Sequence, residues 1–142
     1  MQRSTAGFVG GLVGGLIRLA LAHIAFAVGI SSGNTVDWLS RLFGTISGLW
    51  SWVIFGLAAG VIGLLVSLVV PKDYPSSYLT AGLLVGVVLW AGMNVVLQLS
   101  GLALPTWSTG ANSFVVDLVT HLVWGISIMY GLWRTRVEER AS

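Results

Sequence analysis

Four long runs of apolar residues, separated by short polar segments, make up most of this chain. They cover about residues 7–30, 46–70, 78–102 and 113–133. A run of about 18 residues or more can cross the ~30 Å hydrocarbon core of a bilayer as a helix. Helices are favoured over strands because the runs are continuous rather than alternating, and because a helix satisfies its own backbone in lipid. The pattern predicts an all-α fold: a single domain over residues 1–142, built as an integral membrane bundle of four transmembrane helices.

The amino-acid composition also favours a lipid environment. Of the 142 residues, 56% are hydrophobic and only 8% are charged, whereas soluble domains carry about 25% charged residues. Such a chain lacks the polar side chains that cover a water-exposed surface, which excludes an ordinary soluble enzyme and a disordered chain. The net charge is only +2, and without a basic patch we expect no nucleic-acid partner. The predicted partner is the lipid bilayer.

The sequence contains no recognisable catalytic or cofactor-binding pattern. Cysteine is absent, which excludes disulfides and thiolate metal ligands. The acidic residues outside the spans are dispersed over the loops and the C-terminal tail, and no HExxH, P-loop or GxSxG pattern occurs. We therefore predict a non-enzymatic protein with no catalytic residue, no metal and no cofactor.

The positive charges outside the spans are distributed unequally between the two sides. If both termini share a side, that side has five Lys and Arg residues and the other has only Arg41. Short loops rich in Lys and Arg stay in the cytoplasm. This predicts a multi-pass protein of the cytoplasmic membrane with both termini in the cytoplasm. The five residues are Arg3, Lys72, Arg134, Arg136 and Arg140.

The first outer loop, about residues 31–45, is the longest link between spans. Polar residues from Asn34 onward are followed by apolar residues at helical spacing, among them Trp38 and Phe43. This pattern predicts a short outer interfacial helix with both aromatic rings dipping into the membrane surface. An early start of the second span is the alternative.

Glycine residues recur four positions apart on the first three spans, and such stripes let helix backbones approach closely. The first span has a second stripe on another face, formed by Gly10 and Gly14. We therefore expect this span to have two neighbours, one of which could be another subunit, and this favours a homo-oligomer or other membrane subunits as partners. The predicted packing residues are Gly7, Gly11 and Gly15, then Gly56 and Gly60, then Gly82 and Gly86.

The two halves of the chain show weak internal similarity. The stretch from Gly11 to Gly15 aligns with Gly82 to Gly86 at an offset of 71 residues, and Phe55-Gly56 aligns with Trp124-Gly125 at an offset of 69. Two-helix repeats occur in some transporters. A repeat of two helices is therefore one interpretation, and chance similarity between apolar segments is the other.

Polar residues inside three of the spans are the main functional signal. At ~1.5 Å per residue from the cytoplasmic edge, they lie about 18–26 Å deep, in the outer half of the bilayer. Arg18 and Asp117 are the only formal charges inside the spans. A charge at the bilayer centre costs about 2.5–3.5 kcal/mol on insertion scales, so we predict that these two residues pair. The predicted intramembrane polar cluster contains Arg18, His23, Asn94, Asp117 and His121.

This predicted cluster is compatible with more than one role. As an architectural element, it fixes the register of the helices. In an oligomeric channel or transporter, Arg18, Asp117 and His121 would line a path for protons or small anions. A remote alternative is a b-type haem anchor that uses His23 and His121, although their levels differ by roughly one helical turn.

Short apolar motifs resemble two families of small bacterial membrane proteins. The segment Gly82–Trp90, the glycine-rich first span and the ending Leu122–Tyr130 resemble the YqhR-like family. The segments His121-Leu-Val-Trp124 and Pro71-Lys72 are similar to the YagU-like inner-membrane family. The resemblance implies a four-helix protein of the bacterial cytoplasmic membrane, without a known activity or functional residues. Our primary prediction is a self-associating protein or an accessory subunit of a membrane complex, whose polar cluster is architectural.

Overall fold

Four long helices account for nearly all of the structure, and each is long and apolar enough to cross a membrane. The computed structural model describes residues 2–32, 48–72, 74, 77–101 and 103–141, the side chains of 140 and 141 excepted. Within these ranges the fold is all-α, as predicted. The helices are α1 (Arg3–Ala27), α2 (Gly48–Val69), α3 (Tyr78–Ser100) and α4 (Ala111–Ala141), and a short 3-10 turn covers Thr106–Ser108. The predicted interfacial helix around Trp38 and Phe43 lies outside the described residues.

The helix ends differ from the predicted ends where local backbone geometry decides them. Helix α1 ends at Ala27 rather than at 30, because Gly29 adopts a φ of 77° and its N–H donates to Phe26 O (2.9 Å). Gly101, with a φ of 66°, ends α3 in the same left-handed conformation. Helix α4 continues to Ala141, eight residues past the predicted end of the span. Its charged last turns are suited to water rather than to lipid.

The helices form an open row in the order α2–α1–α4–α3. Helix α1 packs against both α2 and α4 through neighbouring faces, and α4 also packs against α3. Helices α2 and α3 lie at the two ends of the row and have no extensive contact with each other. A closed bundle would join the end helices, so the predicted bundle of four helices is present as two hairpins that pack together through α1 and α4.

Glycine contacts hold the first hairpin together. A Cβ atom at Gly7 would lie 2.6 Å from the carbonyl oxygen of Gly63, and one at Gly11 would lie 2.8 Å from Gly63 Cα. Gly15 of α1 faces Ala59, which lies on α2 like Gly63. The predicted stripe is thus the α1–α2 interface, where only hydrogen atoms fit between the two backbones. Gly56 and Gly60 of α2 also face α1, and they contact the side chains of Leu16 and Phe8.

The second glycine stripe of α1 faces α4 rather than another subunit. A Cβ atom at Gly10 would lie 2.9 Å from Ser127 O, and Gly14 lies against the side chains of Ser127 and Trp124. Both predicted neighbours of α1 therefore belong to this chain. The stripes of α1 are occupied within the monomer, and they give no surface for a second copy.

The second hairpin uses the same type of packing at a different register. Gly82 and Gly86 of α3 face α4, and Gly125 is their small counterpart. In the first hairpin the counterpart is Gly63, whereas the offset of 69 residues pairs Gly125 with Gly56. The two hairpins share a close glycine contact, but they do not reproduce the register that the internal similarity predicts.

Two arginines fix the charged end of the molecule. Arg3 donates from Nε to Ser67 O (3.1 Å) and from Nη2 to Val70 O (2.5 Å), which satisfies carbonyl groups at the end of α2. Arg136 donates to Tyr74 O (2.9 Å) and stacks over the Tyr74 ring. These contacts place the beginning of α1 and the end of α4 at the same end of the row.

Candidate functional site: the intramembrane polar cluster

Five residues from three helices and one loop form a polar cluster between the two hairpins. Helix α1 contributes one residue, α3 one, α4 two, and the 3-10 turn before α4 one. We define the polar cluster as Arg18, Asn94, Thr106, Asp117 and His121. Three of these residues, Arg18, Asn94 and His121, are buried.

The predicted pairing of Arg18 with Asp117 is present. Arg18 Nη2 donates to Asp117 Oδ1 at 3.0 Å. The Arg18 side chain is 5% exposed, and its guanidinium group lies 5.3 Å from the Phe55 ring centre and 6.0 Å from that of Trp124. The two rings cover the cation, and cation–π attraction adds to the ion pair. Residues from α2 and α4 thus enclose the charge that α1 contributes.

The second oxygen of Asp117 is held from the opposite side. Thr106 Oγ1 donates to Asp117 Oδ2 at 2.9 Å, and Asn94 Nδ2 donates to the same oxygen at 3.2 Å. The Asn94 amide also donates to Trp90 O (2.9 Å), and its oxygen accepts the Thr106 N–H at 2.6 Å. Thr106 Oγ1 also lies 2.9 Å from Asn94 Oδ1. We assign its single hydrogen to Asp117 Oδ2, because a carboxylate is the stronger acceptor and Asn94 Oδ1 already accepts the Thr106 N–H. Asp117 is the centre of the polar cluster.

His121 contacts the polar cluster through one ring nitrogen. Nδ1 lies 2.7 Å from the backbone oxygen of Asp117, 3.3 Å from Asp117 Oδ1 and 3.4 Å from Arg18 Nε. A carbonyl oxygen only accepts, so the shortest contact requires a hydrogen on Nδ1. Nδ1 then has no lone pair for the Arg18 N–H, and we assign the 3.4 Å contact to proximity rather than to a hydrogen bond.

Two buried nitrogen atoms of the polar cluster, Arg18 Nη1 and His121 Nε2, have no hydrogen-bond partner within the described part of the chain. With a hydrogen on His121 Nδ1, Arg18 Nε also has no acceptor among the described residues, since His121 Nδ1 is the one contact of that nitrogen. Buried polar atoms are nearly always paired, so these nitrogens retain hydrogen-bonding capacity beside the Arg18–Asp117 ion pair.

His23, which we predicted to belong to the cluster, lies on a different face of α1. Five residues separate it from Arg18, which corresponds to about 140° around a helix. Its exposed ring contacts Trp52 of α2, with ring centres 6.2 Å apart. His121 is fully buried against Trp124. Since the two histidines do not face a common space, this geometry removes the basis for the haem alternative.

Sequence reasoning missed Thr106 and Trp124. Thr106 stands in a loop, so the depth estimate along the spans did not include it. Trp124 was interpreted only as part of an apolar motif, yet it is buried and its Nε1 donates to Gly11 O at 2.9 Å. The available signal for Thr106 was its position after Pro105, where a turn directs the chain back toward α4.

The site is that of an apolar, all-helical protein with a buried ion pair at the junction of its two hairpins. Among the described residues, no group of three or more His, Asp and Glu side chains is arranged to hold a metal ion. Comparisons with protein-family models, with curated proteins and with solved structures found no match. Four helices that are long and apolar enough to cross a membrane indicate a multi-pass membrane protein.

Proposed function

We propose that this chain is a non-enzymatic protein of the bacterial cytoplasmic membrane, with both termini in the cytoplasm, that acts by self-association or as an accessory subunit of a membrane complex. The polar cluster is its architectural element. The resemblance to the YqhR-like and YagU-like families agrees with this assignment. The proposal is carried by one observation: Asp117 accepts hydrogen bonds from α1, from α3 and from the 3-10 turn at the same time.

The bonding of Asp117 favours a fixed structure over a moving group. Arg18, Asn94 and Thr106 each hold one of its oxygens at 2.9–3.2 Å. Releasing the carboxylate would break contacts with two helices and a loop at once. An ion pair of this type specifies which helices meet and in what register.

The open row favours association with further protein. Helices α2 and α3 each pack along one side within the chain, and their outer faces consist of exposed Leu and Val residues. In α3, only 17% of the most apolar 18-residue stretch is buried. Lipid alone can cover these faces, but two end helices without extensive contact with each other leave more free surface than a closed bundle would. Other subunits would reduce that surface.

The mass of the detergent-solubilised protein tests this proposal. After extraction from native membranes and affinity purification, light scattering should give a protein mass that is a multiple of 15.0 kDa, or a second subunit should co-purify in fixed stoichiometry. Cross-linking in intact membranes provides an independent measurement. A monomer without a stoichiometric partner in both experiments would contradict the proposal.

The unpaired nitrogens favour a second candidate function, an oligomeric channel or transporter for protons or small anions. Arg18 Nη1 and His121 Nε2 are buried and make no hydrogen bond to the described residues, and the Asp117 side chain is 16% exposed. These three residues would line the path. Proteoliposomes should then show proton or chloride flux that Asp117→Asn abolishes. Absence of flux at every pH tested would reject this candidate.

A further inference from the structure

An open groove lies at the charged end of the molecule, between the first turn of α1 and the end of α2. Its volume is about 460 Å³. Its lining consists of Arg3, Ser4 and residues 67–72. Arg18 of the polar cluster lies about four helical turns farther along α1, so this groove is a separate feature with its own chemistry.

One side of the groove is cationic, and its principal charge is fixed in position. Arg3 is anchored because Nε and Nη2 donate to carbonyl oxygens at the end of α2. Its third guanidinium nitrogen, Nη1, has no hydrogen bond to the described residues. Lys72 is exposed at the same groove, and the Ser4 hydroxyl adds a neutral donor. These groups together match a phosphate group, which accepts hydrogen bonds through several oxygens.

The other side of the groove is apolar and open. Leu68 and Val69, in the last turn of α2, are 69% and 81% exposed. A soluble phosphate compound would gain nothing from contact with these apolar side chains. A phospholipid would gain from them, because its headgroup needs a polar surface and its acyl chains need an apolar surface beside it, at the level where a span ends.

We propose that this groove binds an anionic phospholipid, with Arg3 and Lys72 holding the headgroup phosphate and Leu68 and Val69 contacting an acyl chain. The inference rests on the membrane location in the proposed function. It adds a specific lipid class to that proposal. An anionic headgroup should be preferred, because a zwitterionic headgroup carries its own cation and gains less from the two protein cations.

Thermal unfolding of the purified full-length protein in detergent tests the groove. Phosphatidylglycerol should raise the unfolding temperature more than phosphatidylcholine with the same acyl chains, because a ligand that binds only the folded state stabilises it. Lys72→Gln should reduce this difference by at least half. Arg134→Gln is the matched control, since Arg134 is exposed at the same end of the protein and outside the groove. Arg3→Gln is less suitable because Arg3 also caps α2.

Three outcomes would overturn the inference. The first is an equal effect of the two lipids on the wild-type protein. The second is an equal loss in Arg134→Gln and Lys72→Gln, which would indicate diffuse surface charge. The third is an equal stabilisation by inorganic phosphate, which would identify a site for free phosphate.

Carbonate extraction of native membranes separates failure of the groove from failure of the proposed function. Release of the chain by carbonate would contradict the membrane location itself. A chain that resists extraction but has no preference for phosphatidylglycerol would contradict the groove alone.

Discussion

Arg18 Nη2 lies 3.0 Å from Asp117 Oδ1, although 99 residues separate the two in the chain. This ion pair joins α1 to α4, the two central helices of the row, and therefore joins one hairpin to the other. Phe55 and Trp124 enclose it on the remaining sides. A buried ion pair thus lies at the junction of the two hairpins.

Removing one partner of this ion pair should destabilise the protein more than removing both. Arg18→Met or Asp117→Leu alone leaves a buried, unpaired charge, which costs about 3–5 kcal/mol. The double variant leaves neither charge, and its loss should be much smaller than the sum of the two single losses. Unfolding by SDS in mixed micelles measures all three free energies.

The exposed pair of Arg134 and Glu138 provides the control for this cycle. Its atoms are 3.5 Å apart at the surface, where such pairs contribute less than about 1 kcal/mol. Additive losses at Arg18 and Asp117 would show that the two charges do not stabilise the fold as a pair.

Gly11→Ala should destabilise the first hairpin. A Cβ at this position would lie 2.8 Å from Gly63 Cα, so α1 and α2 must move apart, at a cost of about 1–3 kcal/mol. Gly92→Ala is the matched control, because a Cβ there meets nothing within 4 Å. Melting in detergent should distinguish the two variants. Equal melting temperatures would mean that the close glycine contact is unimportant.

Thr106→Val should loosen the loop that covers the polar cluster. The substitution keeps the shape and removes the hydroxyl that donates to Asp117 Oδ2, while the backbone N–H still donates to Asn94. Asp117 Oδ2 then keeps only the hydrogen bond from Asn94, and the loss of one hydrogen bond to a charged group should cost about 1.5–3 kcal/mol in unfolding free energy. Thr5→Val, at an exposed position on α1, should change stability by less than about 0.5 kcal/mol. Equal changes in unfolding free energy in Thr106→Val and Thr5→Val would show that the Thr106 hydroxyl does not stabilise the polar cluster.

Tyr74 should make the protein less stable at alkaline pH. Burial raises the pKa of its hydroxyl above the ordinary value of 10.0, and the nearby charges of Arg136 and Arg3 oppose this shift only partly. The folded state then keeps the proton at a pH where the unfolded state loses it. This contribution is complete below about pH 10 and declines above it. Tyr74→Phe should therefore flatten the fall in unfolding free energy between pH 9 and 11, and an unchanged slope would contradict the assignment.

The sequence predicted the features of this fold that a lipid environment requires, namely the four apolar helices and the pairing of buried charges. Continuous apolar runs and sparse charges define the four helices, because lipid accepts no unpaired backbone and few charges. The pairing of Arg18 with Asp117 was predictable for the same reason, since no other formal charge lies inside a span. The glycine stripes were predictable as interfaces, but their partners were not.

Packing between helices decided the rest. The order α2–α1–α4–α3, the use of both α1 stripes within one chain and the outward position of His23 depend on which helix faces meet. That choice depends on the fit of side chains from distant segments, such as Trp124 against Gly11, and no local pattern contains this information. Thr106 belongs to the polar cluster for a similar reason, because a loop residue reaches a buried carboxylate only once α3 and α4 have brought its two ends together. The sequence by itself determined which segments suit a membrane and which two charges must meet, whereas the tertiary structure decided which neighbours surround them.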